Sequence, residues 1–297
     1  MEADIVVDLQ YGDSGKGKVT HFLAKSGEYT HVLRYNGGAN AGHTIFHNGQ
    51  KFITQQIPAG VFFGIRSIIG SGCVVNPEQF FKEIDMLEKG GINTKGKIFI
   101  AENAHVITQA HREEDKKGGG AIGTTGSGNG PAYREKYGRT GVRAADVPEL
   151  KPYIINLYQE WYTTGKVRIL AEGAQGFGLD IDWGDYPFVT SSHCTTAGAL
   201  LNGLPPQSVK KVWGVAKIYE TYVGSKKFQP ADEVFNKIGD VGEEFGAVTG
   251  RRRQTNWINM QTLERAIRMN GVTHLVFSKV DVLRTVGVWA AYDADKE

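Results

Sequence analysis

Short apolar runs along the chain are broken again and again by polar stretches rich in glycine. Ile5-Val6-Val7-Asp8-Leu9 reads as a short buried strand, stopped by a glycine-rich turn. Gly15 to about Lys25 follows as a helix, with Phe22 and Leu23 as its apolar contacts. His31 to Tyr35 reads as a second strand, followed at once by Asn36-Gly37-Gly38. Ser67-Ile68-Ile69, Lys97-Ile98-Phe99-Ile100, Val167-Arg168-Ile169-Leu170 and Lys211-Val212-Trp213-Gly214-Val215 have the same character. A later strand, His274-Leu275-Val276-Phe277, follows a helix predicted over Trp257 to Met269, in which Ile258, Leu263, Ile267 and Met269 share a face. Strands alternating with helices predict an α/β fold: a mostly parallel central sheet flanked by helices, with a P-loop-like phosphate loop and large inserted loops. There is no internal repeat and no long linker, so residues 1–297 are expected to form a single domain. The Lys- and Gly-rich stretch Asp115 to Gly120 is the expected mobile loop.

Composition narrows the function. Lys and Arg number 34 against 32 Asp and Glu, a net charge of +2, which argues against a general electrostatic footprint on nucleic acid. A hydrophobic share of 40% with 22% charged residues supports a real core and excludes global disorder. Glycine is the anomaly: 39 of 297 residues is about 13%, nearly twice the roughly 7% expected. With only nine prolines beside them, the glycines mark sharp turns and places where backbone approaches a ligand. Two cysteines, Cys73 and Cys194, make neither a disulfide framework nor a zinc site and suit buried thiols in a reducing compartment. The acidic start, Met1-Glu2-Ala3-Asp4, has the character of neither a signal nor a transit peptide, and no stretch approaches the ~20 apolar residues of a membrane helix. A soluble cytoplasmic protein is expected, with no membrane and no direct nucleic-acid contact.

The glycines cluster just after strand ends, where open α/β sheets bind ligands. Gly12-Asp13-Ser14-Gly15-Lys16-Gly17-Lys18 fits the phosphate-loop pattern, except that Val19 stands where Ser or Thr binds magnesium. Its backbone N–H groups and the following helix start are expected to cradle an anion, and Asp13 inside the loop invites a chemical role. Asn36 to Thr44 sets His43 among small residues, which leaves its imidazole room beside a substrate. Hydroxyls and backbone amides alternate from Gly123 to Tyr133, as in a phosphate or carboxylate clamp. Glu172-Gly173-Ala174-Gln175-Gly176 follows the strand ending at Leu170. Thr249-Gly250-Arg251-Arg252-Arg253 is either a solvated charge run or a mobile anion clamp built of guanidinium forks.

Taken in order, these segments resemble adenylosuccinate synthetase from Gln10 to Leu283, joined by Tyr186-Pro-Phe-Val-Thr-Ser-Ser192 and Ser278-Lys-Val-Asp281. The resemblance implies a ligase in which a nucleoside triphosphate phosphorylates O6 of a 6-oxopurine monophosphate and L-aspartate then displaces the phosphate. It makes Asp13 the base that removes the N1 proton and His43 a donor to the developing charge. Mg²⁺ is the implied cofactor, held by Asp13 and the carbonyl of Gly42. Gly12, Ser14, Gly15, Lys16, Gly17, Gly42, His43, Thr44, Lys279 and Asp281 match triphosphate contacts, Lys279 and Asp281 those to its base. Asn40, Thr124, Thr125, Gln175 and Thr190 match contacts to the monophosphate nucleotide, with Arg253 near its sugar. Arg139 matches an arginine that enters the neighbouring subunit's site, so a homodimer is implied. Thr249, Gly250 and Arg251 match the aspartate loop.

Four departures separate the chain from the common form of that family. Ser14 replaces a Glu, Ser127 replaces an Arg, and Tyr222-Val223-Gly224-Ser225-Lys226-Lys227 replaces Arg-Val-Gly-x-Gly-Pro. The sequence also stops at Glu297, without the Ser-Thr-Gly-Pro segment that helps enclose guanine. These features resemble the bacteriophage branch, which would place the enzyme in a host cytoplasm. That branch uses ATP or dATP to convert deoxyguanylate to N6-succino-2-amino-2′-deoxyadenylate, a precursor of 2-aminoadenine DNA. Guanine and hypoxanthine share N1–H and O6 and differ by the 2-amino group, for which the loss of Glu at position 14 is expected to make room. Ordinary synthesis from inosinate with GTP is the alternative. A P-loop nucleotide switch of another class is disfavoured by Val19, and a plain binding module has no need of Asp13, His43 and an arginine loop together.

Overall fold

The structure, a computed structural model, describes residues 1–118, 123–163, 165–246 and 250–292. Its core is a sheet of eight strands whose neighbours all run parallel. They are β1 (Glu2–Asp8), β2 (His31–Arg34), β5 (Arg66–Ile69), β7 (Ile98–Ala101), β9 (Ile154–Ile155), β10 (Arg168–Glu172), β11 (Val209–Lys217) and β14 (His274–Ser278). The spatial order is β14-β11-β1-β10-β2-β5-β7-β9. In β1, Ile5 and Val7 join one buried cluster and Val6 another on the opposite face. Burial on both faces is why this strand reads as an unbroken apolar run rather than an alternation.

The helices start where short polar side chains can cap them. Asn76, Asn156 and Asn259 accept from the backbone N–H three residues on, opening α2 (Pro77–Lys89), α5 (Leu157–Tyr162) and α8 (Met260–Asn270). α1 (Lys16–Ala24) directly follows the first glycine loop, and α6 (Thr196–Leu200) is a single turn or so. Three excursions leave the sheet. One is the antiparallel hairpin of β3 (His43–His47) and β4 (Gln50–Thr54). A second joins β6 (Val74–Val75) to β8 (His105–Val106), with α3 (Gln109–Gly118) and α4 (Asn129–Gly138) beside it. A third is the small sheet of β12 (Tyr219–Tyr222), β13 (Gln254–Asn259) and β15 (Ala291–Tyr292), which carries α7 (Glu233–Val241) and α9 (Val280–Val286).

The sheet is therefore as the pattern predicted, and three local expectations are corrected. Trp257 to Asn259 belongs to β13, because the Asn259 side chain caps the helix behind it; Ile258 is buried from the strand, and Met269 lies 37% exposed. In α1, Phe22 is 75% exposed, while Thr20, Leu23 and Ala24 make the buried stripe. Asp115 to Gly118 is the last turn of α3 rather than a loop. The Asp115 carboxylate holds it by accepting from Thr124 Oγ1 at 2.9 Å and Gly128 N at 2.8 Å. Gly119 and Gly120 lie outside the described residues. Among the described residues no helix is long and apolar enough to cross a membrane.

Candidate active site

Four adjacent strands of the sheet each end in a buried charge: Lys217 on β11, Asp8 on β1, Glu172 on β10 and Arg34 on β2. Buried charges persist only when paired, and each of these is. Asp8 organises the first glycine loop, accepting from Gln10 N at 2.9 Å, Gly12 N at 3.2 Å, Ser14 N at 3.1 Å and Lys16 Nζ at 3.1 Å. Arg34 donates to Glu172 at 2.9 Å, in register with it across the sheet, and Glu172 also accepts from Ala59 N at 3.0 Å. Lys217 donates to Glu244 and to Thr221, both at 2.8 Å.

This geometry corrects one expectation. The amides of Gly12 and Ser14 turn inward to Asp8, so they do not cradle an external anion. The start of α1, where no side chain provides a cap, is left to do so, with Gly15 as its N-cap. The Ser14 hydroxyl is also turned inward, to Gln10 Oε1 and the Gly12 carbonyl. Its side chain is buried and does not line the cavity above the strand ends.

Above the strand ends lies a cavity that gathers most of the predicted residues. Gly12, Asp13, Lys16, Asn40, Gly42, His43, Thr124, Thr125, Gln175, Thr190 and Arg251 all line it. Lys16 also donates to the Gln175 carbonyl, and Gln175 Nε2 donates to Asn40 Oδ1 at 2.9 Å. Thr125 and Ser127 share a hydroxyl contact at 2.8 Å. Backbone strain marks two of these residues: six non-glycine residues among those described hold a left-handed φ, and Asp13 and Gln175 are two of them.

His43 is nearly buried at the rim of this cavity. Its Nδ1 donates to Glu172, and the Arg34 guanidinium lies against the ring, Nη2 3.1 Å from Nδ1 and Nη1 3.4 Å from Nε2. Gly17 makes the position achievable, since a Cβ there would stand 2.8 Å from the His43 Cβ. Burial first, and Arg34 second, lower the imidazole to about 4 against the pull of Glu172. Burial alone would raise the Glu172 carboxyl, but Arg34 and His43 overcome it and hold it down at about 2. At rest, therefore, the imidazole is neutral and the carboxylate charged.

The remaining predicted residues stand apart from the cavity. Arg253 lies on Asp13 itself, with Nε and Nη2 each 2.8 Å from Oδ2, and is anchored behind by Glu244 at 2.6 Å. Arg251 donates to the Gly123 carbonyl, tying the arginine loop to the hydroxyl-rich one. Gly250 precedes it with a left-handed φ of 65°, and Thr249 lies outside the described residues. Gly15, Gly17 and Thr44, the last the second residue of β3, are not on the cavity lining. Lys279 donates to the Gly242 carbonyl at 2.7 Å. Asp281 lines a separate, more apolar cavity with Ile218, Leu283, Val288 and Trp289. Arg139 ends α4 on the surface, outside both cavities.

Arg34, Glu172 and Asn129 were not assigned roles from sequence. Asn129 opens α4 on the cavity wall, 6% exposed, and neither amide atom has a partner among the described residues. The signal for Arg34 was present, since a charge closes an apolar strand just before Asn36-Gly37-Gly38; its pairing with Glu172, 138 residues away, was not.

Comparison with known proteins follows the same lines. The family model described as adenylosuccinate synthetase matches residues 5–153 and 147–297. Adenylosuccinate synthetases of Parabacteroides distasonis and Bacteroides fragilis are 37% and 38% identical, over 96% of this chain and 79% of each relative. Fully ligated adenylosuccinate synthetase from Plasmodium falciparum superposes with a TM-score of 0.85 at 27% identity, over 95% of this chain and 78% of that one. Succinoaminodeoxyadenylate synthetase of cyanophage S-2L, bound to dGMP and to dATP as energy donor, gives 0.77 at 24% identity, over 98% and 91%. The last likeness is one of fold.

Proposed function

We propose, from the premise that this chain belongs to the adenylosuccinate synthetase family, that its acceptor is deoxyguanylate and its phosphoryl donor an adenine triphosphate. The chain is a C–N bond-forming ligase of purine nucleotide biosynthesis that joins aspartate to a purine nucleotide. The amide-like O6 of a 6-oxopurine leaves poorly, and phosphorylation converts it into a good leaving group. In this reading Asp13 takes the N1 proton, and O6 attacks the γ-phosphorus, breaking its bond to the nucleoside diphosphate. The aspartate nitrogen then attacks C6, the C6–O6 bond breaks, and inorganic phosphate departs. Lys16 and the start of α1 offset triphosphate charge, and His43 faces the charge that develops during transfer. Both Arg253 contacts fall on Oδ2 of Asp13, which leaves Oδ1 to take the N1 proton.

The donor set suits Mg²⁺. Asp13 and the main-chain carbonyl of Gly42 lie on one cavity, both hard oxygen donors, and the Asp13 carboxylate already carries a cationic group. These two residues would hold the ion, which when bound supplies charge neutralisation at the triphosphate.

Asn129 carries the acceptor assignment. Both amide atoms of Asn129 lack a partner among the described residues, and its oxygen can accept from an N–H donor; guanine has one at its 2-amino group, where hypoxanthine has only C2–H. The adenine donor is supported by the second cavity, an apolar platform with Asp281 as acceptor for a 6-amino group. The cyanophage enzyme of the same fold, with dGMP and dATP bound, lends further support. The bacterial relatives favour a second reading, inosinate with GTP, in which Asp281 accepts from guanine N1–H and N2–H₂. In either case a homodimer is proposed, with exposed Arg139 reaching the partner's site from the end of α4. Measuring kcat/KM for dGMP, GMP and IMP against ATP, dATP and GTP tests the assignment. The expected best pair is dGMP with ATP or dATP. A tenfold preference for IMP with GTP, about 1.4 kcal/mol in transition-state terms, would overturn it.

A further inference from the structure

The stretch Tyr222 to Lys227, which departs from the family pattern, has so far no role. In the structure it folds back so that Lys226 Nζ lies 5.1 Å from the ring centroid of Tyr11, 5.7 Å from that of Tyr222 and 5.6 Å from that of Phe228. The three rings also pack on one another, with centroids 5.2 to 5.6 Å apart. The ammonium pairs with Asp185, whose Oδ2 also accepts from the Tyr11 hydroxyl at 2.7 Å. An aromatic cage of this kind attracts a cation through the ring quadrupoles, and more strongly where the cation is partly desolvated; the Lys226 side chain is 26% exposed.

Three walls of the cavity meet at this one ammonium. Tyr11 leads into Gly12 and Asp13, Asp185 precedes Phe188 to Ser191, and Tyr222 continues into Val223. Behind Val223 is the turn Gly224-Ser225, on which Gly123 packs so closely that a Cβ there would stand 2.8 Å from Ser225 N. The clamp from Gly123 to Thr125 therefore rests on the turn that Lys226 pins. The main chain of the turn is held as well, by Gln254 Nε2 donating to the Lys226 carbonyl at 2.8 Å. The family pattern has arginine at 222 and glycine at 226; here the cation comes from 226 and lies beside the ring at 222.

We infer that Lys226 is a positioning residue for the acceptor nucleotide: its caged ammonium joins three cavity walls and sets the place of the clamp at Gly123–Thr125. The inference rests on reading this cavity as the acceptor site. Preorganised walls spare the bound nucleotide the cost of ordering them, so loosening them weakens binding without altering the reacting groups. Lys226→Met keeps the length of the side chain and removes its charge. It is expected to raise KM for the purine monophosphate about tenfold, with kcat within threefold and KM for triphosphate and aspartate within twofold. Lys226→Arg keeps a cation in the cage and is expected to return the acceptor KM to within threefold of the parent. Thermal melting accompanies each variant, and calorimetric titration of the monophosphate onto folded Lys226→Gln gives a second reading of the same affinity. An unchanged acceptor affinity in both Lys226→Met and Lys226→Gln, or an equal rise in all three KM values, would overturn the inference. Thr125→Val separates the two levels: if it weakens the monophosphate while Lys226→Met does not, the positioning role alone fails. If neither does, the acceptor-site reading fails with it.

Discussion

The cavity has two halves of different construction. The half at the strand ends, Gly12 to Gly17 with Arg34, His43 and Glu172, is set by fully buried charges on four adjacent strands. The opposite half, Arg251 and the Gly123–Thr125 clamp, stands on excursions from the sheet and is held by exposed contacts such as Arg251 to Gly123, with Arg253 beside it anchored on buried Glu244. The first half is rigid because releasing any one partner leaves a buried charge behind. The second can exchange partners, since its contact from Arg251 to Gly123 is exposed. The proposed two-step reaction suits this division, the strand-end groups being those assigned to phosphoryl transfer and the arginine loop that assigned to the amino acid.

If the strand-end half carries the chemistry, Asp13→Ala should lower kcat by about 100-fold or more while nucleotide binding stays measurable. His43→Asn should likewise act on kcat well beyond its effect on either nucleotide KM. Retention of more than about a tenth of parental kcat in Asp13→Ala would remove the base from that half. The arginine half should respond differently. Arg251→Leu is expected to raise KM for aspartate about tenfold, the loss of one charge-assisted contact, and to leave the triphosphate KM unchanged. Kinetics showing the reverse would assign the loop to the other substrate.

The smallest expected effect concerns stability. His43 titrates at about 4 in the fold, against 6.5 when unfolded. Between those values the unfolded chain binds a proton that the native one does not, so stability falls as pH falls through that window. From pH 7 to 5.5 the loss from this one group is about 1 kcal/mol. His43→Asn should lose less stability over that range than the parent, as read by denaturant melts. An equal or larger loss in the variant would mean that the imidazole is not held neutral by burial and Arg34.

What could be seen in the sequence follows from the same division. The strands at the sheet centre were legible because burial on both faces leaves an unbroken apolar run, as in Ile5-Val6-Val7. The strand-end loops were legible because glycine patterns are local. Partners distant in sequence were not. Nothing near His43 announces Glu172, 129 residues on, and nothing near Asp8 announces that it would claim the amides of Gly12 and Ser14. The excursions were read least well. Trp257 reads as helical because apolar spacing alone does not separate the end of β13 from the start of α8, and only the Asn259 cap divides them.

Oxygen labelling tests the two-step account most directly. With ¹⁸O at O6 of the purine monophosphate, phosphorylation at O6 followed by displacement at C6 delivers the label to inorganic phosphate. One labelled phosphate per succinylated product is the predicted result, read by mass spectrometry. Unlabelled phosphate, with product still formed, would contradict transfer to O6 and with it the roles given to Asp13 and His43.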